Sequence, residues 1–165
     1  MEKYTLSVLV ENQPGVLAKV VGLFSRRGFN IDSLAVGPTQ EDDISRITIE
    51  VTGNEQTVEQ IAKQLSKLID VIKIKTLKEN DVVKRCLVLI KVRSNSKTRS
   101  EIIEISNIFR ANIIDVNVNT LTIETTGADK KIQALIDMLE PFGIEEIART
   151  GITALERGSG TLKII

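Results

Sequence analysis

The sequence has no histidine, no tryptophan, one cysteine and three prolines. Without histidine it lacks the one side chain that ordinarily titrates near neutral pH and the commonest metal ligand. With one cysteine it cannot build a thiolate cluster, so most nucleophilic triads and zinc sites are excluded. Cys86 has no partner for an intramolecular disulfide, and its setting, Arg85-Cys-Leu-Val-Leu-Ile90, is that of a small apolar residue in a strand. Aromatic residues are nearly as scarce, four Phe and one Tyr. None falls in Ile47-Thr-Ile-Glu-Val51, so the base-stacking strand of an RNA-recognition fold is missing. Neither charge is in excess: 22 Lys and Arg stand against 22 Asp and Glu. Each half is balanced too, without the basic field of a nucleic-acid binder. No apolar run nears the ~20 residues of a bilayer span, and no basic-then-apolar leader precedes Tyr4. Walker loops and dinucleotide fingerprints are also absent. The acidic groups Glu41-Asp-Asp43 and Glu145-Glu146 lack the convergent spacing of a cation site. The expectation is a soluble intracellular chain with no catalytic residues, no metal, no cofactor of its own, and no nucleic-acid or membrane partner.

What is present is periodicity. With 42% hydrophobic and 27% charged residues over 165 positions, the chain can fill two small cores. Residues 4–10 alternate as a strand. Leu17, Val20, Val21 and Phe24 then recur at helical spacing, ending at Arg26-Arg27-Gly28. Residues 29–36 read as extended, Gly37 to Asp43 as a polar turn, and Ile47, Ile49 and Val51 as the inward face of a strand. Val58, Ile61, Ala62, Leu65 and Leu68 mark a second helix, and 71–77 a fourth strand. This strand, helix, strand, strand, helix, strand order is the ferredoxin-like pattern. It repeats: a strand at 87–92, a helix through Ile102, Ile105 and Phe109, strands at 113–118 and 121–125, a helix through Ile132, Leu135, Ile136 and Leu139, and a last strand within 144–155. The predicted fold is α+β, two tandem βαββαβ domains at 1–78 and 85–158, with a polar linker at 79–84 and a tail at 159–165. Lys91, Arg93, Lys97 and Arg99 read as a solvated basic loop.

Asn12-Gln-Pro-Gly15 lies between the first strand and first helix and has two readings. In one, Asn12 or Gln13 caps the helix, Pro14 fits its first turn, and Gly15 eases packing. In the other, the unpaired amides and positive dipole end seat a carboxylate, with Gly15 allowing close approach and Asn12 bonding a zwitterion.

The segments Glu11-Asn-Gln-Pro-Gly-Val-Leu17, Gly22-Leu-Phe24 and Arg27-Gly-Phe-Asn-Ile31 together resemble the ACT domain, a small-molecule-sensing ferredoxin-like module. With Ser45-Arg-Ile-Thr-Ile49, Phe109-Arg-Ala-Asn-Ile-Ile-Asp115 and Glu146-Ile-Ala-Arg-Thr-Gly151, the resemblance covers residues 4–155. It is closest to the regulatory (small) subunit of acetolactate synthase, also called acetohydroxyacid synthase. The resemblance implies a non-catalytic chain that dimerises through residues 1–78. It implies an effector site of Asn12, Gly15, Val16 and Leu17 from one copy, completed by Asn30 and Ile31 of a neighbour. On residues alone Asn30 is a turn residue. The implied effector is valine, with isoleucine or leucine as alternatives. The implied partner is the catalytic (large) subunit, which carries thiamine diphosphate, magnesium and FAD and condenses two 2-oxo acids in branched-chain amino-acid synthesis. Bacterial cytoplasm and plastid stroma both fit. The alternative is an ACT sensor of some other amino-acid enzyme or regulator, which residues 1–77 alone would fit and residues 85–155 argue against.

Overall fold

The computed structural model describes residues 1–164. They form two compact units, one of residues 1–83 with 151–164, the other of residues 84–150.

The first unit runs β1 (Glu2–Glu11), α1 (Val16–Arg26), β2 (Ser33–Pro38), β3 (Ile44–Gly53), α2 (Glu55–Leu65) and β4 (Val71–Leu77). Its antiparallel sheet has the order β2-β3-β1-β4. Register follows the apolar alternation: Leu6 pairs Ile49 and Val8 pairs Ile47. A slip of one residue would turn that whole set away from the helices. With Val10 and Val51 they pack against Val20, Leu23 and Phe24 of α1 and Val58, Ile61 and Leu65 of α2. Each large side chain so buried contributes about 1.5–3 kcal/mol.

Both ends of the second strand differ from the sequence reading. The stretch after α1 closes that helix before it extends: Gly28 N–H donates to Ser25 O and Phe29 N–H to Phe24 O, a C-terminal capping pattern. Consequently β2 starts at Ser33 and continues through Gly37 to Pro38.

The opposite sheet face is polar yet buried. Thr5, Ser7, Thr48 and Glu50 are all under a tenth exposed. Thr5 Oγ1 donates to Glu50 Oε1 at 3.4 Å and Arg46 Nη1 to Ser7 Oγ at 2.8 Å, as buried polar groups require. The same face is crossed by the C-terminal segment. Ile152 N–H donates to Ser33 Oγ at 2.8 Å, Lys75 pairs with Glu156, and Lys73 Nζ donates to Lys163 O at 2.9 Å. Ser33, Lys73 and Lys75 sit in register with Glu50, Leu9 and Ser7, so all anchor points of this strap lie on the polar face. Ile152 and Ala154 are buried, and Gly151 passes so close to the Leu34–Ala35 peptide that no Cβ would fit.

The second unit repeats the plan with β5 (Val82–Arg93), which starts in the first unit, then α3 (Arg99–Ile108), β6 (Asn112–Val116), β7 (Thr120–Gly127), α4 (Asp129–Leu139) and β8 (Ile144–Arg149). Its sheet order, β6-β7-β5-β8, matches the first. A short strand, β9 (Thr153–Glu156), lies in the segment that returns to the first unit. Val88, Ile90, Val92, Leu121 and Ile123 face Ile102, Ile132, Leu135 and Leu139, all fully buried. Cys86 is a buried thiol bonded to the Thr150 carbonyl. The repeat extends to detail: the register shift at Leu9/Val10 recurs at Lys91/Val92. Asn12 N–H donates to Asp43 O as Ser94 N–H does to Asn119 O, both at 2.8 Å. Only part of the basic run is loop. Lys91 and Arg93 belong to β5, Arg93 pairs with Glu145, and Arg99 Nη2 donates to Val118 O.

Candidate functional site

The start of α1 differs from both simple capping schemes. The helix begins at Val16 with Gly15 as its N-cap, and no side chain accepts from its free amides. Asn12 is not a cap. Its Nδ2 donates to Asp42 O at 2.9 Å, and its backbone N–H to Asp43 O. The residue therefore clamps the exposed Thr39–Asp43 turn beside the helix start. Pro14 precedes the helix, and Gln13 takes part through its backbone, its N–H donating to Glu11 O at 3.0 Å and its carbonyl accepting from Val16 N–H at 3.4 Å. A long-range side-chain bond of this kind leaves no local sequence signal.

Gly15 is left-handed, φ 85°, and nothing lies within 4 Å of where a Cβ would project. The glycine is thus required by conformation and not by crowding. Space over the helix start is open. The first turn of α1 contains no acidic residue, so the partial positive charge of its amides is not offset within the helix. Val16 is buried in the core and Leu17 half-exposed beside it. Lys19, one turn on, is held by Asp70 at 2.7 Å.

Asn30 and Ile31 stand elsewhere. They follow the C-terminal end of α1, where Asn30 Nδ2 donates to Asp32 Oδ1 at 2.9 Å and Ile31 packs against the core. Eleven helical residues separate them from Gly15, a rise of about 16 Å. Asn12, Gly15, Val16 and Leu17 come together in one chain; Asn30 and Ile31 do not join them there.

Two cavities of the unit lie between its polar sheet face and the strap. One of about 190 Å³ is lined in part by Leu9, Ile44 and Arg46, and one of about 310 Å³ in part by Arg46, Leu77 and Leu162. Burial lowers the Arg46 pKa from its usual value by desolvating the charged form. Among the described residues no group of three or more Cys, Asp or Glu could hold a metal. Among those residues no helix is long and apolar enough to cross a membrane.

Comparison with known proteins matches both units. Residues 6–73 fit the AHAS small subunit-like ACT domain, and residues 85–158 fit the family described as small subunit of acetolactate synthase. The acetolactate synthase small subunit of Mycolicibacterium smegmatis is 56% identical over 94% of this chain and 91% of its own. That of Mycobacterium leprae is 54% identical over 94% and 92%. The crystal structure of the acetolactate synthase small subunit from Thermotoga maritima superposes with a TM-score of 0.91 at 43% identity, covering 97% of this chain and all of that one. Sequence and fold agree over nearly the full length: the chain belongs to the acetolactate synthase small-subunit family, the regulatory and non-catalytic partner in that enzyme.

Proposed function

We propose that the start of α1 is the receptor for a branched-chain amino acid, valine first, and that its occupancy sets how strongly this chain stimulates the catalytic subunit. The observation that carries the reading is a helix start that is open, uncapped and without acidic residues, entered through a left-handed glycine. The effector carboxylate takes the free amides of the first turn, from Leu17 on. Asn12 and the turn it clamps lie beside the ammonium, and Leu17 offers aliphatic surface. Binding spans two copies. Because Asn30 and Ile31 lie a helix length away in their own chain, only a neighbour can bring them to this site. Strand β2 is at the edge of its sheet. Two such strands paired antiparallel would set residues just before β2 of one copy near the Thr39–Asp43 turn of the other. Such a two-fold contact uses each patch twice.

Magnitudes suit a sensor. Eight heavy atoms at about −1 kcal/mol each give about −8 kcal/mol, or micromolar affinity. Selectivity rests on the apolar side chain, where each missing methylene costs about 1–3 kcal/mol. A difference of about 1–3 kcal/mol in effector affinity between two subunit arrangements then suffices for feedback inhibition. The cofactors, thiamine diphosphate, magnesium and FAD, reside in the catalytic subunit, which joins two pyruvates to 2-acetolactate with loss of CO2.

Calorimetric titration with valine tests the site. The wild-type chain binds, and Gly15→Asp, which sets a carboxylate where the ligand's own belongs, does not bind yet still stimulates the catalytic subunit. Equal affinity in the variant removes α1 from the site.

A further inference from the structure

Arg46 has no acidic partner within salt-bridge distance among the described residues, although it is partly desolvated on the polar face of the first unit's sheet. Its Nη1 donates to the Ser7 hydroxyl at 2.8 Å. A guanidinium has five donors in a planar fork, so most of its capacity is unused. It lines both cavities under the strap, and Gln40, Leu162 and Lys163 line both with it, so the two spaces adjoin at Arg46. In the larger cavity, Leu77, Leu155 and Leu162 supply apolar wall. Its one acid, Glu156, is already paired with Lys75. The acid of the smaller cavity, Glu41, is exposed. Lys73, next to this region on β4, donates to the Lys163 carbonyl. The balance at Arg46 is therefore positive, and the wall is aliphatic. About 310 Å³ is at the lower end of small-ligand sites, which combine mostly apolar walls with a few fixed polar groups.

We infer that the space between the first unit's sheet and residues 158–163 is a second ligand site, taking a small aliphatic monocarboxylate whose acid group Arg46 holds. The guanidinium forks the carboxylate through two parallel N–H···O bonds, and the short alkyl chain lies among Leu77, Leu155 and Leu162. No ammonium is required, because neither acid near the cavity is both buried and unpaired. This separates the site in chemistry from the start of α1. The two do not depend on one another.

The test uses the full-length chain with methyl-labelled leucines, titrated in turn with pentanoate, acetate and inorganic phosphate while the Leu77, Leu155 and Leu162 resonances are followed. Pentanoate is expected to shift them saturably and to bind at least about tenfold more tightly than acetate, since its three further carbons leave water. Arg46→Gln, which keeps a donor for Ser7, weakens pentanoate by roughly tenfold or more, the loss of a charge-assisted pair. Termination after Glu156 removes the outer wall and abolishes the preference over acetate. The inference is overturned if pentanoate gives no saturable shift, if Arg46→Gln binds it as tightly as wild type, or if phosphate competes as well as pentanoate. Because pentanoate lacks an amino group, valine binding at α1 can fail or succeed without altering this result.

Discussion

Replacing Gly151 by alanine probes the strap directly. A Cβ built there falls 2.0 Å from Leu34 O, 2.4 Å from Leu34 C and 2.9 Å from Ala35 N. These are backbone atoms of β2, held by pairing of Leu34 with Ile49 and Ala35 with Thr48, so they cannot step aside as a flexible side chain would. The strap must lift instead, by roughly 1.5 Å to restore ordinary carbon contacts. Lifting breaks the bond from Ile152 N–H to Ser33 Oγ, about 0.5–1.5 kcal/mol. It also exposes part of Ile152 and Ala154, 7% and 1% accessible in place, where burying an isoleucine is worth about 1.5–3 kcal/mol. The expected loss is about 2–4 kcal/mol. For a unit of just under a hundred residues that corresponds to about 8–30 °C in its melting temperature. Scanning calorimetry should resolve the shift, fitted as two transitions because two units melt. Hydrogen exchange should quicken at Ser33–Pro38 and Val71–Leu77 and stay unchanged in α3 and α4. A melt within about 1 °C of wild type, with unaltered exchange in β2, refutes the close contact.

Gly15→Ala imposes the same left-handed strain as Gly15→Asp, about 1–2 kcal/mol, without the charge. Calorimetry with valine should show the aspartate variant weaker than the alanine variant by at least about tenfold, and equal losses would assign the effect to strain alone. Asn54 caps α2, accepting from Thr57 N–H and Thr57 Oγ1 at 2.8 Å each. Asn54→Ala should cost about 1 kcal/mol in urea denaturation, and no change would mean that the cap is replaced by solvent. Ile123 is fully buried in the second sheet. Ile123→Ala should destabilise that unit by about 2–5 kcal/mol, and an unshifted second transition in calorimetry would contradict its place in the core.

The elements that the sequence discloses are those whose partners are periodic and near. Leu17, Val20 and Phe24 announce α1, and Ile47, Ile49 and Val51 announce β3, because one buried face imposes one period. The duplicated topology follows from the same signal read twice. The start of α1 was readable as a place, since Pro14-Gly15 marks it, but not as a geometry. Asn12 offers the same letters whether it caps the helix or reaches Asp42, and only the return of the chain thirty residues later decides. The strap was not readable. Gly151-Ile-Thr-Ala-Leu-Glu156 is short and reads as the end of the second repeat, whereas its partners, Ser33, Leu34 and Lys75, lie in the first. Ser94 holds the position of Asn12 in the duplicate unit, but its loop has neither Pro nor Gly to advertise the equivalence. Its buried hydroxyl has no partner among the described residues.

The first unit is built from both ends of the chain, with the second unit threaded between them. Synthesis proceeds from the N-terminus at about 5–20 residues per second, so the ribosome releases β1 to β4 well before residues 151–164. During that interval the nascent sheet can cover its helical side but not the side bearing Thr5, Ser7 and Glu50. The intervening unit, contiguous in sequence, is free to finish first, and the earliest-made half of the protein becomes the last to be sealed.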